Sequence, residues 1–169
     1  MTTHNKIGYI GIDVGKSGGV CFIYKDKGTP LPTMHCYKCP TTIHDMADLI
    51  ATPPIKELPN IKWVGLVERV HSMPKQGVRS MFTFGENYGH WVGILAALKI
   101  SYNLITPLVW MKHYTPIPKD KKDRKNYLKS VAQRLYPDSH ITLATADAIL
   151  IAHYLMITHH TAQSSTTDQ

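Results

Sequence analysis

The stretch IGYIGIDVGKSGGVCFIYKD, residues 7–26, decides the fold. Its first eight residues, IGYIGIDV, are rich in β-formers and run into the glycine-containing turn GKSGG, from which a second such run, VCFIYKD, sets out. Together they predict a β-hairpin with Asp13 at the end of its first strand. Outward from it, GTPLP breaks the pattern and TMHCYKC reads as a third short strand. Pro40 then precedes a capped helix over 41–51, closed by the prolines at 53 and 54. IKWVGLVE, residues 61–68, is a nearly continuous apolar run, as expected of a central strand covered on both faces. After the loop HSMPKQG, residues 78–99 read as helix. NLIT reads as a fifth strand, TPLVWMKHY as a short helix opening near Pro107, 121–136 as a basic helix and 143–158 as the last one. The order βββαβαβααα predicts one α/β layered domain, residues 1–158, followed by a polar tail, 159–169, expected to be disordered.

With 169 residues, the chain can bury about 70% of its unfolded surface and needs no disulfide or metal staple. A hydrophobic content of 43% is ordinary for a soluble protein. No apolar run approaches the roughly 18–20 residues that span a bilayer, and MTTHNKIGYIGID meets a charge too soon for a signal peptide. The expectation is a soluble, unexported, cytoplasmic protein with no membrane partner. Three cysteines, Cys21, Cys36 and Cys39, make no disulfide framework and fit a reducing compartment. Cys36 and Cys39 form one CxxC with His35 and His44 nearby, which raises a zinc site. No second pair follows, however, and residues three apart on a strand point to opposite faces.

Lys and Arg number 19 against 12 Asp and Glu, a formal charge of +7. Much of the excess lies between Lys112 and Arg134, where Lys119, Lys121, Lys122, Arg124, Lys125 and Lys129 meet only Asp120 and Asp123. On a helix Lys122, Lys125 and Lys129 flank an apolar stripe of Leu128, Val131, Ala132 and Leu135. Such a face is either solvated or a phosphate contact. Gly85, Gly89 and Gly93, four apart, weaken an isolated helix but permit close backbone approach, within the protein or across a dimer.

Three carboxylates stand where a structural role is hard to supply: Asp13 in IGIDVG, Glu68 in GLVERV, and Asp147 in the apolar run ATADAILIA. An unpaired buried carboxylate is costly, so such acids have a partner. Asp13 could cap a turn, Glu68 could pair with Arg69 or Arg79, and Asp147 could be a first-turn helix acid. A metal is the other kind of partner. Hard oxygen ligands suit Mg²⁺ or Mn²⁺, and two such ions about 4 Å apart can activate water and stabilise the leaving oxygen in phosphodiester cleavage.

GIDVGKSGG, VERVHSMPKQGVRSMFTFGENYGHW, TPLVWMKHY with KDKKDRKNYLKSVAQRLYP, and ADAILIAHY, in that order over about residues 7–155, resemble the RuvC family of Holliday junction resolvases, most closely its bacteriophage-type branch. The resemblance implies an RNase H-like fold with a five-stranded mixed sheet flanked by helices, a homodimer, and divalent-metal-dependent nicking of four-way or other branched DNA in recombination and repair. It also implies a bacterial or phage-infected host cell as the source, and it matches Asp13, Glu68 and Asp147 to the family's catalytic and metal-binding acids. The family's fourth ligand falls three or four residues before the last acid, where this chain has Ala144 and Leu143. Alanine there is either natural, with water, Asp138 or His140 compensating, or an engineered change, and weakened binding of one metal is expected. DNA-contact candidates are Lys112, Lys119, Lys121, Lys122, Lys125 and Lys129 for phosphates. In and beside the loop after Glu68, which also holds Met73, they are His71, Lys75, Gln76 and Arg79; the resemblance implies that this region approaches the junction centre, with His71 or a nearby residue stacking on unpaired bases. Phe82 and Phe84 read as core or dimer residues before DNA-stacking ones. His153 reads as an ordinary helix residue.

Two other readings follow. With Ala144 in place of a ligand, the chain could bind junctions without cutting them. IGIDVGKSGG also resembles the phosphate-binding hairpin of actin-like phosphotransfer domains, but those need two related domains and a second phosphate loop, which 169 residues do not supply.

Overall fold

The computed structural model describes residues 6–25, 29–53, 61–69 and 77–164, with side chains described as far as His159. β1 (Lys6–Asp13) turns back into β2 (Gly19–Tyr24), antiparallel, with Asp13 opposite Gly19. The turn needs glycine: Gly15 has φ +124°, and its N–H is held by Asn87 Oδ1 at 2.8 Å. β3 (Thr33–Lys38) adds to β2 antiparallel. α1 (Ile43–Ala51) follows, capped by Thr42, whose hydroxyl oxygen accepts from Asp45 N at 3.1 Å. β4 (Ile61–Glu68) lies parallel to β1 on its other side, and β5 (Ser101–Ile105), reached through α2 (Val78–Ala97), lies parallel to β4. α3 (Pro107–Lys112), α4 (Lys121–Leu135) and α5 (Ala146–Ser164) complete the chain. The sheet order is β3-β2-β1-β4-β5, the mixed five-stranded sheet with flanking helices expected from the sequence.

Alternation along β1 sorts its side chains between two cores. Tyr9 packs with Leu66, Trp110, Leu128 and α5 on one face, while Ile10 and Ile12 pack with Val67, Met46, Trp91 and Leu95 on the other. α5 is apolar around most of its circumference because it is sandwiched between the sheet and α4. It comes close because Gly11 has no side chain: a Cβ there would collide with the Ala148 carbonyl oxygen and the Ala152 nitrogen.

Some boundaries differ from those the sequence predicts. β5 begins at Ser101, and Thr106 caps α3 instead of ending the strand. α5 starts at Ala146, because Leu143–Thr145 form a turn in which Thr145 Oγ1 accepts from Thr142 N at 3.1 Å. At its other end α5 runs on to Ser164, past Thr158. No glycine or proline stops it, and the His159 ring packs edge-on against Tyr9 at 5.6 Å. No described helix is long and apolar enough to cross a membrane.

Candidate functional site

Strand parity brings the first two acids together. Asp13 falls on the α5 face of β1 with Tyr9 and Gly11, and Glu68 on the same face of β4 with Leu66. The strands are parallel with Ile12 beside Val67, so the next step of the register sets Asp13 beside Glu68 at their C-terminal ends. Asp147 lies in the first turn of α5, over that face. The three side chains feel one another: Asp13 and Glu68 share a hydrogen bond, and each is repelled by Asp147.

The surroundings raise all three pKa values. Burial is the largest cause for Asp13, followed by repulsion from Glu68 and Asp147, and its hydrogen bond to Glu68 adds to the rise. Glu68, 6% exposed, is raised by burial and by Asp147, against the opposing pull of its bonds from Trp110 and Asp13. The bond between the two acids favours a protonated Asp13 over a protonated Glu68, so it pushes Asp13 up and holds Glu68 down. Asp147 is raised by burial, with Lys125 and Arg124 of α4 pulling the other way. Lys125 lowers all three. A second donor fixes Glu68: Trp110 Nε1 gives its hydrogen to Oε1 at 2.8 Å, inside the protein.

The donor set is all carboxylate oxygen, which suits a hard divalent cation by its chemistry. The side chains do not stand as a ready cage, since no group of three His, Cys, Asp or Glu among the described residues is close enough together to hold an ion.

Glu68 is satisfied by Trp110 and Asp13; Arg69 is exposed, and its N–H bonds to Ile105 O at 2.7 Å. Ala144 lies in the turn before α5 and not on the helix, which corrects the expected helix over 143–158 at its start. Its carbonyl oxygen abuts Gly19, across from Asp13. Asp138 and His140 are exposed between α4 and α5.

Lys121, Lys122 and Lys125 are exposed on α4 and Lys129 is half-buried. Lys119 and Asp120 precede the helix, where Asp120 caps it, accepting from Lys122 N at 2.8 Å. Lys112 is exposed at the end of α3, and Arg79 in the first turn of α2. His71, Met73, Lys75 and Gln76 lie outside the described residues. Phe82 is 73% exposed and so is not a core residue; Phe84 packs into the α1–α2 core beside Gly15. Cys36 packs on the α5 face and Cys39 on the other, so the CxxC does not converge. His153 is half-buried, with Nδ1 2.9 Å from Tyr136 Oη. Sequence reasoning missed Trp110 and Arg124 as neighbours of the acids. The signal for Trp110 was a donor-only side chain just after the strand that pairs with β4.

In structure the chain is similar to T. thermophilus RuvC in complex with a Holliday junction substrate, with TM-score 0.60 and 11% identity over 92% of this chain and 96% of that one. It is similar to another Thermus thermophilus RuvC structure (TM-score 0.59, 12% identity, 92% and 96% covered). The yeast mitochondrial Holliday junction resolvase Ydc2 is a third (TM-score 0.54, 14% identity, 95% and 83% covered). No family model matches the chain, and no curated protein matches it in sequence. The likeness is one of fold, the RNase H-like fold of those neighbours.

Proposed function

We propose that the chain is a structure-selective endodeoxyribonuclease that nicks four-way or other branched DNA by hydrolysis of phosphodiester bonds. The observation that carries this reading is the gathering of Asp13, Glu68 and Asp147 at the C-terminal end of two parallel strands, in a fold shared with two kinds of Holliday junction protein. Branched DNA as substrate is supported by the junction that one of those neighbours holds.

Asp13, Glu68 and Asp147 would hold Mg²⁺ or Mn²⁺, two ions in the full site. When bound, these supply Lewis acidity toward a phosphoryl oxygen and toward the attacking water. The chain's own residues do the rest. Asp13 and Glu68 would have to be ionised together to serve as ligands, which their burial and mutual repulsion oppose. A carboxylate with a raised pKa is also the group best able to take a proton from water near neutral pH. Lys125 and Arg124, on the α4 side of Asp147, add positive potential where a phosphate would enter. Lys112, Lys119, Lys121, Lys122 and Lys129 would hold the flanking backbone without reading bases. Two-fold symmetry would present equivalent sites to equivalent strands, and α2 offers a face for it. Val78, Phe82, Gly85, Gly89 and Gly93 share one exposed stripe, with Val78 79% exposed and Cβ positions at the three glycines opening on space.

The test is cleavage of an end-labelled four-way junction beside a linear duplex of the same sequence, with Mg²⁺, Mn²⁺ or EDTA, run with a gel-shift binding assay. Paired nicks confined to the junction and abolished by EDTA are expected. Junction binding without nicks would make the chain a binding protein with an incomplete site. Ala144→Asp is then expected to restore cutting at least tenfold if the missing ligand is the whole cause. Failure to bind the junction at all would end the nucleic-acid reading.

A further inference from the structure

Trp110 is fully buried on α3, six residues long, and its indole N–H points at Glu68. The topology makes this meeting possible. β5 pairs with β4 so that Ile105 sits beside Glu68, and the chain turns at Thr106 straight into α3, which carries Trp110 back over the acid. An indole N–H is a donor only and does not titrate in the working range, so it can fix a carboxylate oxygen without taking or giving its proton. Burial alone does not explain the pairing. Trp91 is equally buried on the opposite face, and its N–H meets no acceptor better than the Cys39 sulfur.

The ring is itself braced. It packs edge-on against Tyr114 at 6.2 Å, and the Tyr114 hydroxyl donates to Leu150 O at 2.7 Å, three residues along α5 from Asp147. Tyr127 of α4 donates to the Tyr114 carbonyl at 3.0 Å. One connected set of side chains thus runs from the strand acid to the helix that carries the third acid. Glu68 is tied to the indole at Oε1, on a side chain that also bonds to Asp13.

We propose that Trp110 is a positioning residue that fixes Glu68 for divalent-cation binding, with Tyr114 setting the distance between β4 and the Asp147 helix. This rests on the nuclease reading of the three acids. It adds that the site's metal affinity depends on a neutral donor on α3 and on a tyrosine in the turn just after it, neither of them a ligand.

Two measurements test it. In the first, ¹⁵N-indole spectra of the wild-type protein are recorded during a Mg²⁺ titration, with the Trp110 resonance assigned by its absence in Trp110→Phe. It is expected to move with the same midpoint as junction nicking, while Trp63 and Trp91, packed on the other face, stay still. In the second, Mn²⁺ binding is followed by calorimetry. Trp110→Phe is expected to weaken it about tenfold and Tyr114→Phe about threefold, with the nicking plateau at saturating metal falling less than the affinity. A Trp110 that only filled the core would lower thermal stability and leave Mn²⁺ affinity unchanged. Should Trp110→Phe not fold, the wild-type indole titration and Tyr114→Phe decide the matter. Mn²⁺ bound by wild type, lost in Asp13→Asn, yet bound equally by the Trp110 and Tyr114 variants would overturn the positioning role alone. Wild type and Asp13→Asn giving the same trace would overturn the nuclease reading and this inference with it.

Discussion

Asp13 sits where its charge is penalised, and that has a consequence for stability as well as for chemistry. Its pKa is raised by burial, by Glu68 and by Asp147. A carboxyl whose folded pKa lies above its unfolded value, about 3.9, binds more protons when folded. The stability it contributes is full below that pH and is lost as pH rises through the folded value. Near pH 7 the native state therefore gains from removal of the charge. Asp13→Asn is expected to raise Tm by roughly 2–4 °C there, the shift that about 1 kcal/mol produces in a chain of this size, while abolishing metal-dependent nicking. The gain should shrink toward pH 4. Calorimetric scans of both proteins across that range would check it, and a lower Tm at pH 7 would show that Asp13 holds the hairpin more than it strains it. Of the three acids, Asp13 and Glu68 were legible one by one as acids at strand ends, but their meeting was implied only by the family resemblance, because strand order and register are not written in an apolar pattern. Asp147 stood out only as an acid in an apolar run. Its nearness depends on how α5 docks, which no local signal states, and only family resemblance suggested it.

Elements carry two further predictions. α5 lies against β1 at Gly11, where any Cβ meets helix backbone, so Gly11→Ala must push the helix off the sheet. It is expected to destabilise by about 3 kcal/mol, the upper end for overpacking because the clash is with backbone, read from urea unfolding. Nicking should fall with it, since Asp147 rides on the displaced helix. α2 should behave in the opposite way. Replacing Gly85, Gly89 and Gly93 together by alanine removes three helix-weakening residues from open positions and should stabilise the isolated chain by about 2–3 kcal/mol. If the stripe is the homodimer contact proposed above, the same variant sediments as a monomer at concentrations where the parent is dimeric. Element order and most boundaries could be read in advance because each helix and strand has an apolar period, a cap or a glycine turn of its own. The start of α5 could not, because LATADAILIA looks helical throughout and the turn at Thr142–Thr145 depends on one threonine hydroxyl. Nor could the role of Trp110, since a tryptophan in a short apolar helix reads as packing until the β4–β5 pairing is known.

At the scale of the molecule, charge is set apart from the sheet. The basic helix α4 buries Leu128, Val131 and Ala132 and turns Lys121 and Lys122 to solvent, with Lys129 half-buried. Its Arg124 and Lys125 act on the acids, so phosphate held along α4 would pass the cluster. Each phosphate contact contributes about −0.9 to the slope of log Kobs against log salt on duplex arms. Lys121→Ala, Lys122→Ala and Lys129→Ala combined should flatten the slope by about 2–3 if all three touch the backbone, measured by fluorescence anisotropy on a labelled junction. An unchanged slope would make α4 a merely solvated face.

The parity of β1 and β4 also limits how this chain can change in length. One residue added within 7–12 would carry the following acid through the sheet, into the packing around Trp91. Two would restore its side but displace it by about 7 Å, beyond reach of a neighbour fixed by the indole. Insertions and deletions are thereby excluded from the strands and left to the connections between elements. Lineages descended from this chain should vary in loop size while the spacing from the start of β1 to its acid stays a constant of the design.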